Sequence, residues 1–342
     1  MQIRGITMPF GDSFIITWSG MKGDHCILLD SGTSKSYRSC LRQYLKSLHH
    51  NIDLWVISHP HDDHIGGVMK YIDDIQGGIK VPSCDRWMYN SIKRCDAIFY
   101  ESPDGTTAAS PRQDDKLYSF LKTQNSLVDV FDAINGMSMV IDGLELHVVT
   151  PLVIPHYIKK VENDASIAVS VSHNDYGIKV DDFCLESFIE DVDEYNAVSI
   201  SLIISHQGKT FFWMADCHPS VLCNGLKLLN YSKDNPLICD YATLPHHGSK
   251  GNINDELLSM IRCNTFIITA NGVNKYNLPN KEALVKVLKS PLRNIDNHII
   301  FIFPEENSTL KSLFEVDGEP IFQQYNFEMA FQKSTEIVIY NL

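Results

Sequence analysis

Between Ser58 and Gly67 the chain reads Ser-His-Pro-His-Asp-Asp-His-Ile-Gly-Gly, which packs four cation-ligating side chains, His59, His61, Asp63 and His64, into six positions. Neither a core nor a solvated surface favours that density of imidazole and carboxylate, whereas a divalent metal site requires it. In an extended turn, residues 59, 61 and 63 converge. The adjacent Asp63 and His64 can turn toward a second ion, and Gly66 and Gly67 let the following backbone pass closely. Such a run belongs on a strand-to-helix loop, where α/β folds place their chemistry. Its flanks agree: Leu54-Trp-Val-Ile-Ser58 is an apolar strand that empties into the run, and Ile65 to Ile72 has the spacing of a helix start.

The same punctuation recurs along the chain. A buried strand, Asp24 to Asp30, ends in Asp-Ser-Gly and precedes a helix through Tyr37 to Leu48. Asp142-Gly143 is a turn signal inside the strand pair of residues 137–149. Ala197 to Ser205 and Thr210 to Ala215 form a hairpin around the turn at His206 to Lys209, and Asp216 stands at its end. Another strand, Leu237 to Leu244, runs into Pro245-His-His-Gly-Ser249. Thr265 to Thr269, a helix at Lys281 to Leu288, and strands at Ile299 to Phe303 and Glu336 to Tyr340 complete the pattern. Residues 81–126 and 154–196 read as insertions in a single domain. The first holds helical pieces around Tyr89 to Tyr100 and a surface loop at Ser102 to Pro111; the second holds an irregular acidic stretch from Asn163 to Tyr195. Because Asp30, the histidine run, Asp216, His246 and His247 all terminate strands, they are expected at one rim of a two-sheet sandwich.

Asp216 can bridge two cations and offset part of their charge, or it can cap a helix that starts at Cys217. His246 and His247 gain meaning from the first run, which makes one of them a candidate to complete the coordination shell. Asp30 is placed to orient a ligand histidine from behind. The nine cysteines are scattered and never spaced Cys-x-x-Cys, so neither a disulfide framework nor a cysteine zinc site is expected. A formal net charge of −13 speaks against a generally basic nucleic-acid surface. A metal-dependent nuclease remains compatible, since cations and a local patch such as Lys159-Lys160 can bind phosphate. The N-terminus lacks a secretory pattern and no apolar run reaches the ~18 residues that span a bilayer. A cytoplasmic protein without membrane association is therefore expected.

The run His59-Pro-His-Asp-Asp-His64 resembles the His-x-His-x-Asp-His signature of the metallo-β-lactamase superfamily, and Leu29-Asp-Ser-Gly32 resembles its first motif. Ser199 to Ile204, Phe212-Trp-Met-Ala-Asp216 and Leu244-Pro-His-His-Gly-Ser249 are together similar to the hydrolase domain of ComEC-type competence proteins. The resemblance implies an α/β fold, a four-layer αββα sandwich with two mixed sheets and a binuclear site holding zinc or, in some members, manganese or iron. It assigns His59 and His61 to one metal, Asp63 and His64 to the other, Asp216 to the bridge and His247 to the second metal. Many members carry a further histidine ahead of the bridging aspartate, where this chain has Asn196 as the nearest polar residue. The family's last motif, often Tyr-Gly-His-Pro-His, corresponds to Tyr276-Asn-Leu-Pro-Asn280, without the histidines.

These readings lead to a hydrolase in which two divalent cations, Zn²⁺ or Mn²⁺, activate a bridging water. An aspartate rather than a cysteine at the bridge favours phosphodiester hydrolysis, on nucleic acid or a small nucleotide, over β-lactam opening. Asp63 and His246 are the candidate catalytic side chains, His246 as proton donor aided by Ser249 or Lys250. The competing readings are another ester, lactone or thioester as substrate, an iron oxidoreductase, and a non-catalytic metal-holding assembly protein that binds partners through its insertions.

Overall fold

The computed structural model describes residues 1–6, 11–90, 111–123, 129–131, 133–152, 174–332 and 337–341. Two large sheets face each other. The first takes its strands from the N-terminal part of the chain: β1 (Gln2–Ile6), β2 (Ser13–Gly20), β3 (Gly23–Asp30), β4 (Leu54–Ile57), β5 (Arg86–Tyr89) and β6 (Asp129–Phe131). The second begins with β7 (Ser138–Ile141), β8 (Leu144–Thr150), β9 (Ser201–His206) and β10 (Lys209–Trp213). A short pair, β11 (Leu237–Ile238) and β13 (Ile261–Arg262), stands apart. The second sheet continues with β12 (Tyr241–Thr243), β14 (Thr265–Ile267), β15 (Ile299–Phe303) and β16 (Phe327–Phe331), while β17 (Ile337–Asn341) returns to the edge of the first. The orders are β17-β1-β2-β3-β4-β5-β6 and β16-β15-β14-β12-β10-β9-β8-β7. Both are mixed: β3 to β6 run parallel, as do β10, β12, β14, β15 and β16, with antiparallel strands on the other side.

Strand alternation divides the apolar side chains between layers. Ile27 and Leu29 point inward with Phe14, Leu54 and Val56 to meet Leu146, Leu202, Ile204, Phe211 and Trp213 of the opposite sheet. Cys26, Leu28, Trp55 and Ile57 point outward to the helices of the first flank. These are α1 (Ser34–Ser36), a π-helical turn (Tyr37–Leu41), α2 (Arg42–Ser47), α3 (Asp62–Gln76) and α4 (Pro111–Thr123). After the single turn α5 (Glu194–Ala197), the second flank is built from α6 (Pro219–Leu228), α7 (Asp255–Ser259), α8 (Lys281–Leu288), α9 (Ser308–Lys311) and α10 (Pro320–Gln324). Its Leu222, Leu226, Leu257, Leu284 and Leu310 cover Phe212, Ala242, Phe266 and Phe301. The result is the expected four-layer αββα arrangement, a mixed α/β fold with two large mixed sheets flanked by helices. Among the described residues no helix is long and apolar enough to cross a membrane.

Local differences from the sequence reading have identifiable causes. Helix α3 begins at Asp62 rather than Ile65, because Asp62 and Asp63 in the first turn face the positive end of the helix dipole. Residues 237–244 do not form one strand. The Asp240 carboxylate accepts from the Thr210 backbone N–H and from Lys209, which breaks the run between β11 and β12. Tyr89 belongs to strand β5 and Pro111 opens helix α4, whereas the intervening helical pieces and surface loop lie outside the described residues. Lys159-Lys160 and the acidic stretch up to His173 lie outside them as well. None of the described cysteines is joined in a disulfide.

Two contacts fix how the layers meet. A Cβ on Gly67 would stand 2.3 Å from the Ser31 carbonyl oxygen, so α3 approaches the end of β3 as closely as only glycine allows. At the far end of β3, His25 lies between Asp53 (2.8 Å) and Asp142 (2.9 Å) and thereby links the first sheet to the β7–β8 turn of the second. Burial works against a charged His25 ring, but its bonds to Asp53 and Asp142 outweigh that and raise its pKa. The stabilisation is thus fully present below the unfolded value near 6.5 and fades as pH rises through the folded value.

Two outcomes follow for stability. Gly67→Ala should destabilise by about 1–3 kcal/mol from overpacking, despite the better helix propensity of alanine, seen as a lower urea midpoint at unchanged m-value. His25→Gln should lower the melting temperature most at pH 5–6, with the gap to wild type narrowing toward alkaline pH; a gap independent of pH would show that the ion pairs contribute nothing.

Candidate metal centre

Parallel strands end at the same rim, and here the ends carry the polar residues. Asp30 closes β3, the His59 to His64 run follows β4, Asp216 follows β10, His246 and His247 follow β12, and Thr269 follows β14. Asp12, just before β2, joins them because β2 runs antiparallel to β3. Four non-glycine residues at this rim have left-handed backbone: Asp30 (φ 53°), Ala215 (47°), His246 (49°) and His247 (57°). Each such residue costs on the order of 1 kcal/mol or more, and strain of this kind gathers where side chains must be aimed.

One atom organises the centre. Asp216 Oδ2 lies 3.2 Å from His64 Nε2, 3.5 Å from His247 Nε2, 3.7 Å from His246 Nε2 and 3.8 Å from His59 Nε2. Only the first of these falls within the usual span of an N–H···O hydrogen bond, about 2.7–3.2 Å. Two ligands sharing a tetrahedral cation at about 2.05 Å sit about 3.3 Å apart, within the observed range. Asp216 Oδ1, His64 Nε2 and His61 Nε2 are buried with no hydrogen-bond partner among the described residues. Unpaired buried polar atoms are expensive, and an ion between them removes the cost. Asp63 Oδ2 stands 3.1 Å from His247 Nε2 and 3.7 Å from His64 Nε2, and His59 Nε2 stands 2.9 Å from His61 Nδ1. The donor set therefore fits divalent cations: His59, His64 and Asp216 form one compact group, and Asp63, His64 and His247 another.

Behind these atoms a second ring of polar groups aims them. His64 Nδ1 meets Asp30 Oδ2 at 2.6 Å, and the same carboxylate accepts from the Ser58 N–H and hydroxyl. His59 Nδ1 lies against the hydroxyls of Ser58 (2.9 Å) and Ser199 (3.1 Å). His247 Nδ1 has Thr269 at 2.8 Å and Asp12 at 3.4 Å, and Asp12 is itself held by Trp213 Nε1 at 2.7 Å. His246 Nδ1 meets Asp191 at 3.1 Å and Asn252 at 3.0 Å. Carboxylate behind imidazole is the arrangement that fixes tautomer and ring angle at metal sites.

The charges divide accordingly. Burial and the neighbouring rings push His59 well below its ordinary pKa, and burial lowers His61, so both offer lone pairs. Burial also opposes charge on His64, His246 and His247, but Asp216 and the other carboxylates override it; His64 and His247 rise well above the usual range and His246 rises to about 9. Asp216 is held far below the carboxylate range, since His247, His64 and His246 outweigh its burial. A cation bound among these rings would compete with their protons.

All six residues assigned to metals from sequence, His59, His61, Asp63, His64, Asp216 and His247, come together, and His246 stands beside them. Asp63 and His64 sit in the first turn of α3 rather than on a loop. Asp216 is not a helix cap, because α6 starts after His218. Tyr276 to Asn280 contributes from behind: Asn280 Oδ1 accepts from the Lys250 N–H, and its own N–H donates to Gly248 O, bracing the turn that carries the two histidines. Ser199 opens one of the segments that carry the family resemblance, but nothing in the sequence marks Asp12, Asp191, Asn252 and Thr269 as part of the centre. Each lies in a segment whose sequence resembles an ordinary turn or strand end, and only the packing of the sheets brings them to the rim.

A family model described as the metallo-beta-lactamase superfamily matches residues 7–80. The match includes the histidine run and supports the superfamily assignment. A comparison with curated proteins finds no match. Among solved structures, a HARLDQ-motif mutant metallo-β-lactamase from Cronobacter sakazakii is 14% identical with a TM-score of 0.33, over 62% of this chain and 60% of that one. Igni18, a metallo hydrolase from Ignicoccus hospitalis, is 14% identical with a TM-score of 0.43 over 100% of both chains. CmlA, a diiron β-hydroxylase from Streptomyces venezuelae, is 10% identical with a TM-score of 0.45, over 100% of this chain and 54% of that one. This chain therefore spans under two thirds of the length of the Cronobacter and Streptomyces proteins.

If Asp30 aims His64, Asp30→Asn should weaken cation binding by about 10–100-fold, as loss of an orienting partner does elsewhere. Competition against a chromophoric chelator measures this, and wild-type affinity in the variant would rule the role out.

Proposed function

We propose that this protein is a hydrolase using two divalent cations, probed best as Zn²⁺ and Mn²⁺, to cleave a phosphodiester in a nucleic acid or nucleotide. The observation that supports the reading most is the convergence of four imidazole nitrogens on Asp216 Oδ2 at 3.2–3.8 Å, a spacing that suits ligands of shared cations. In this reading His59 and His61 hold one cation, Asp63, His64 and His247 the other, and Asp216 serves both. When bound, such a pair supplies Lewis acidity and a nucleophilic water at neutral pH.

The protein's own groups do the positioning. Asp30, Ser58 and Ser199 lock the rings of His64 and His59, and Asp12 and Thr269 lock His247. Pre-set ligands of this kind avoid reorganisation when charge develops in the transition state. Preference for a phosphodiester rests on the carboxylate at the bridge and on the ComEC-like order of Ser199 to Ile204, Asp216 and His246-His247-Gly-Ser249. Imidazole and carboxylate donors suit iron as well as zinc or manganese, so iron is the alternative to exclude, by metal analysis of protein purified without added metal.

The test is hydrolysis of bis-(p-nitrophenyl) phosphate by wild type, Asp63→Ala and Asp216→Ala under added Zn²⁺ or Mn²⁺. Metal-dependent turnover should fall by about 10²–10³-fold in both variants, the loss of several kcal/mol at about 1.4 kcal/mol per tenfold. Stoichiometric metal without turnover on this substrate, but with turnover on a lactone or thioester, would replace the phosphodiester by another ester class.

A further inference from the structure

The two candidate cation positions are unequally provided for. In the two-cation reading proposed above, Asp63, His64 and His247 join Asp216 at the second position, whereas the first has His59 and His61 with Asp216 and borrows no imidazole unless His64, which also lies near His59 and Asp216, is shared. His246 is the ring that can make up the difference. Its Nε2 lies 3.7 Å from Asp216 Oδ2, between the distances of His247 (3.5 Å) and His59 (3.8 Å) to the same atom.

The other nitrogen of the ring is already committed. His246 Nδ1 faces two nearer acceptors, Asp191 Oδ2 at 3.1 Å and Asn252 Oδ1 at 3.0 Å, with Asn196 Nδ2 farther off at 3.4 Å, so in the neutral ring that a cation would require the proton belongs on Nδ1 and Nε2, which faces Asp216, is left to bind. Asp191 is itself held in place, since Asn196 Nδ2 donates to it at 2.8 Å and Asn252 Nδ2 at 3.1 Å. Asn252 Nδ2 also reaches the Asp216 carbonyl oxygen at 3.1 Å, coupling the Asp191 assembly to the residue that carries the shared carboxylate. The backbone is fixed too. His246 keeps a left-handed φ of 49°, and its N–H donates to Ala215 O at 2.8 Å. Strained backbone, an orienting carboxylate and two amides together hold the ring at one angle, with Nε2 at the distance from Asp216 that the other ring nitrogens keep.

We propose that His246 is a ligand of the first cation and that Asp191 is its positioning residue, so that both members of the His246-His247 pair bind metal. The proposal rests on the two-cation reading of the site. It replaces the proton-donor role expected for His246 from sequence, and in it Asn196 steadies Asp191 rather than meeting a cation.

Metal-free protein is titrated with Zn²⁺ by calorimetry and chelator competition, and with Co²⁺ while the visible absorption of the bound ion is recorded. Wild type should bind two cations. His246→Ala should keep one and bind the other at least about 100-fold more weakly, with loss of part of the Co²⁺ spectrum; Asp191→Asn should keep both and weaken one by about 10–100-fold. Two cations bound by His246→Ala with wild-type affinities and spectrum would overturn the proposal alone, even if turnover were lost, and would return His246 to proton donation. Wild type that binds no cation would overturn the two-cation reading and this proposal with it. Should circular dichroism show His246→Ala unfolded, Asp191→Asn decides: unchanged affinity at both sites overturns the proposal.

Discussion

A buried carboxylate on which four imidazoles converge is the constraint on which this rim depends. Asp216 is 1% exposed, one of its oxygens has no partner among the described residues, and the other faces four ring nitrogens at 3.2 Å or more. Left to itself, such an arrangement carries the desolvation cost of a charge without the return of close hydrogen bonds. The structure keeps it because the surrounding groups are over-determined. Each ring has one nitrogen anchored outward, on Asp30, on Ser58 and Ser199, on Thr269 and Asp12, or on Asp191 and Asn252, so none can collapse onto Asp216.

That anchoring depends on the sandwich. Asp12 precedes β2 of the first sheet, yet it is held by Trp213 of β10 in the second, whose ring is part of the layer between the sheets. Ile200, next to the Ser199 that meets His59, donates its backbone N–H to Ser58 O across the same divide. The apolar layer therefore sets the distance between the two halves of the centre. Gly11 marks the closest approach, since a Cβ there would meet the Asp63 carbonyl oxygen at 2.4 Å. The candidate ligands of the first half are local in sequence and those of the second are not, and only the packed sheets hold the two in register.

This division explains what can be read from the sequence. The layer pattern is legible because strand alternation and helix spacing are local, as in Leu54 to Ile57 or Lys281 to Leu288. The histidine run is legible because four ligands in six positions have no other use. Asp216, His246 and His247 can be added because they stand at ends of apolar strands. Asp12, Asp191 and Asn252 cannot, because they come from irregular segments whose role arises only when loops far apart in the chain meet. Nor can left-handed backbone at His246 and His247 be seen, since histidine has little more reason than most residues to adopt it.

The acidic segment before β9 takes on a different meaning in this light. By sequence it reads as an insertion with a free acidic surface, suited to partners. In the structure Asp191 is turned inward to His246 and His218, and Asp193 caps α5 while lying 3.6 Å from His61 Nε2. Part of the chain's negative charge is thus concentrated on its candidate centre, where Asp12, Asp30, Asp63, Asp191, Asp193 and Asp216 gather. These carboxylates are not equivalent: burial works against charge on Asp30, which lies behind His64, whereas at Asp216, which lies between the rings, burial is outweighed by His247, His64 and His246, which hold it far below the carboxylate range.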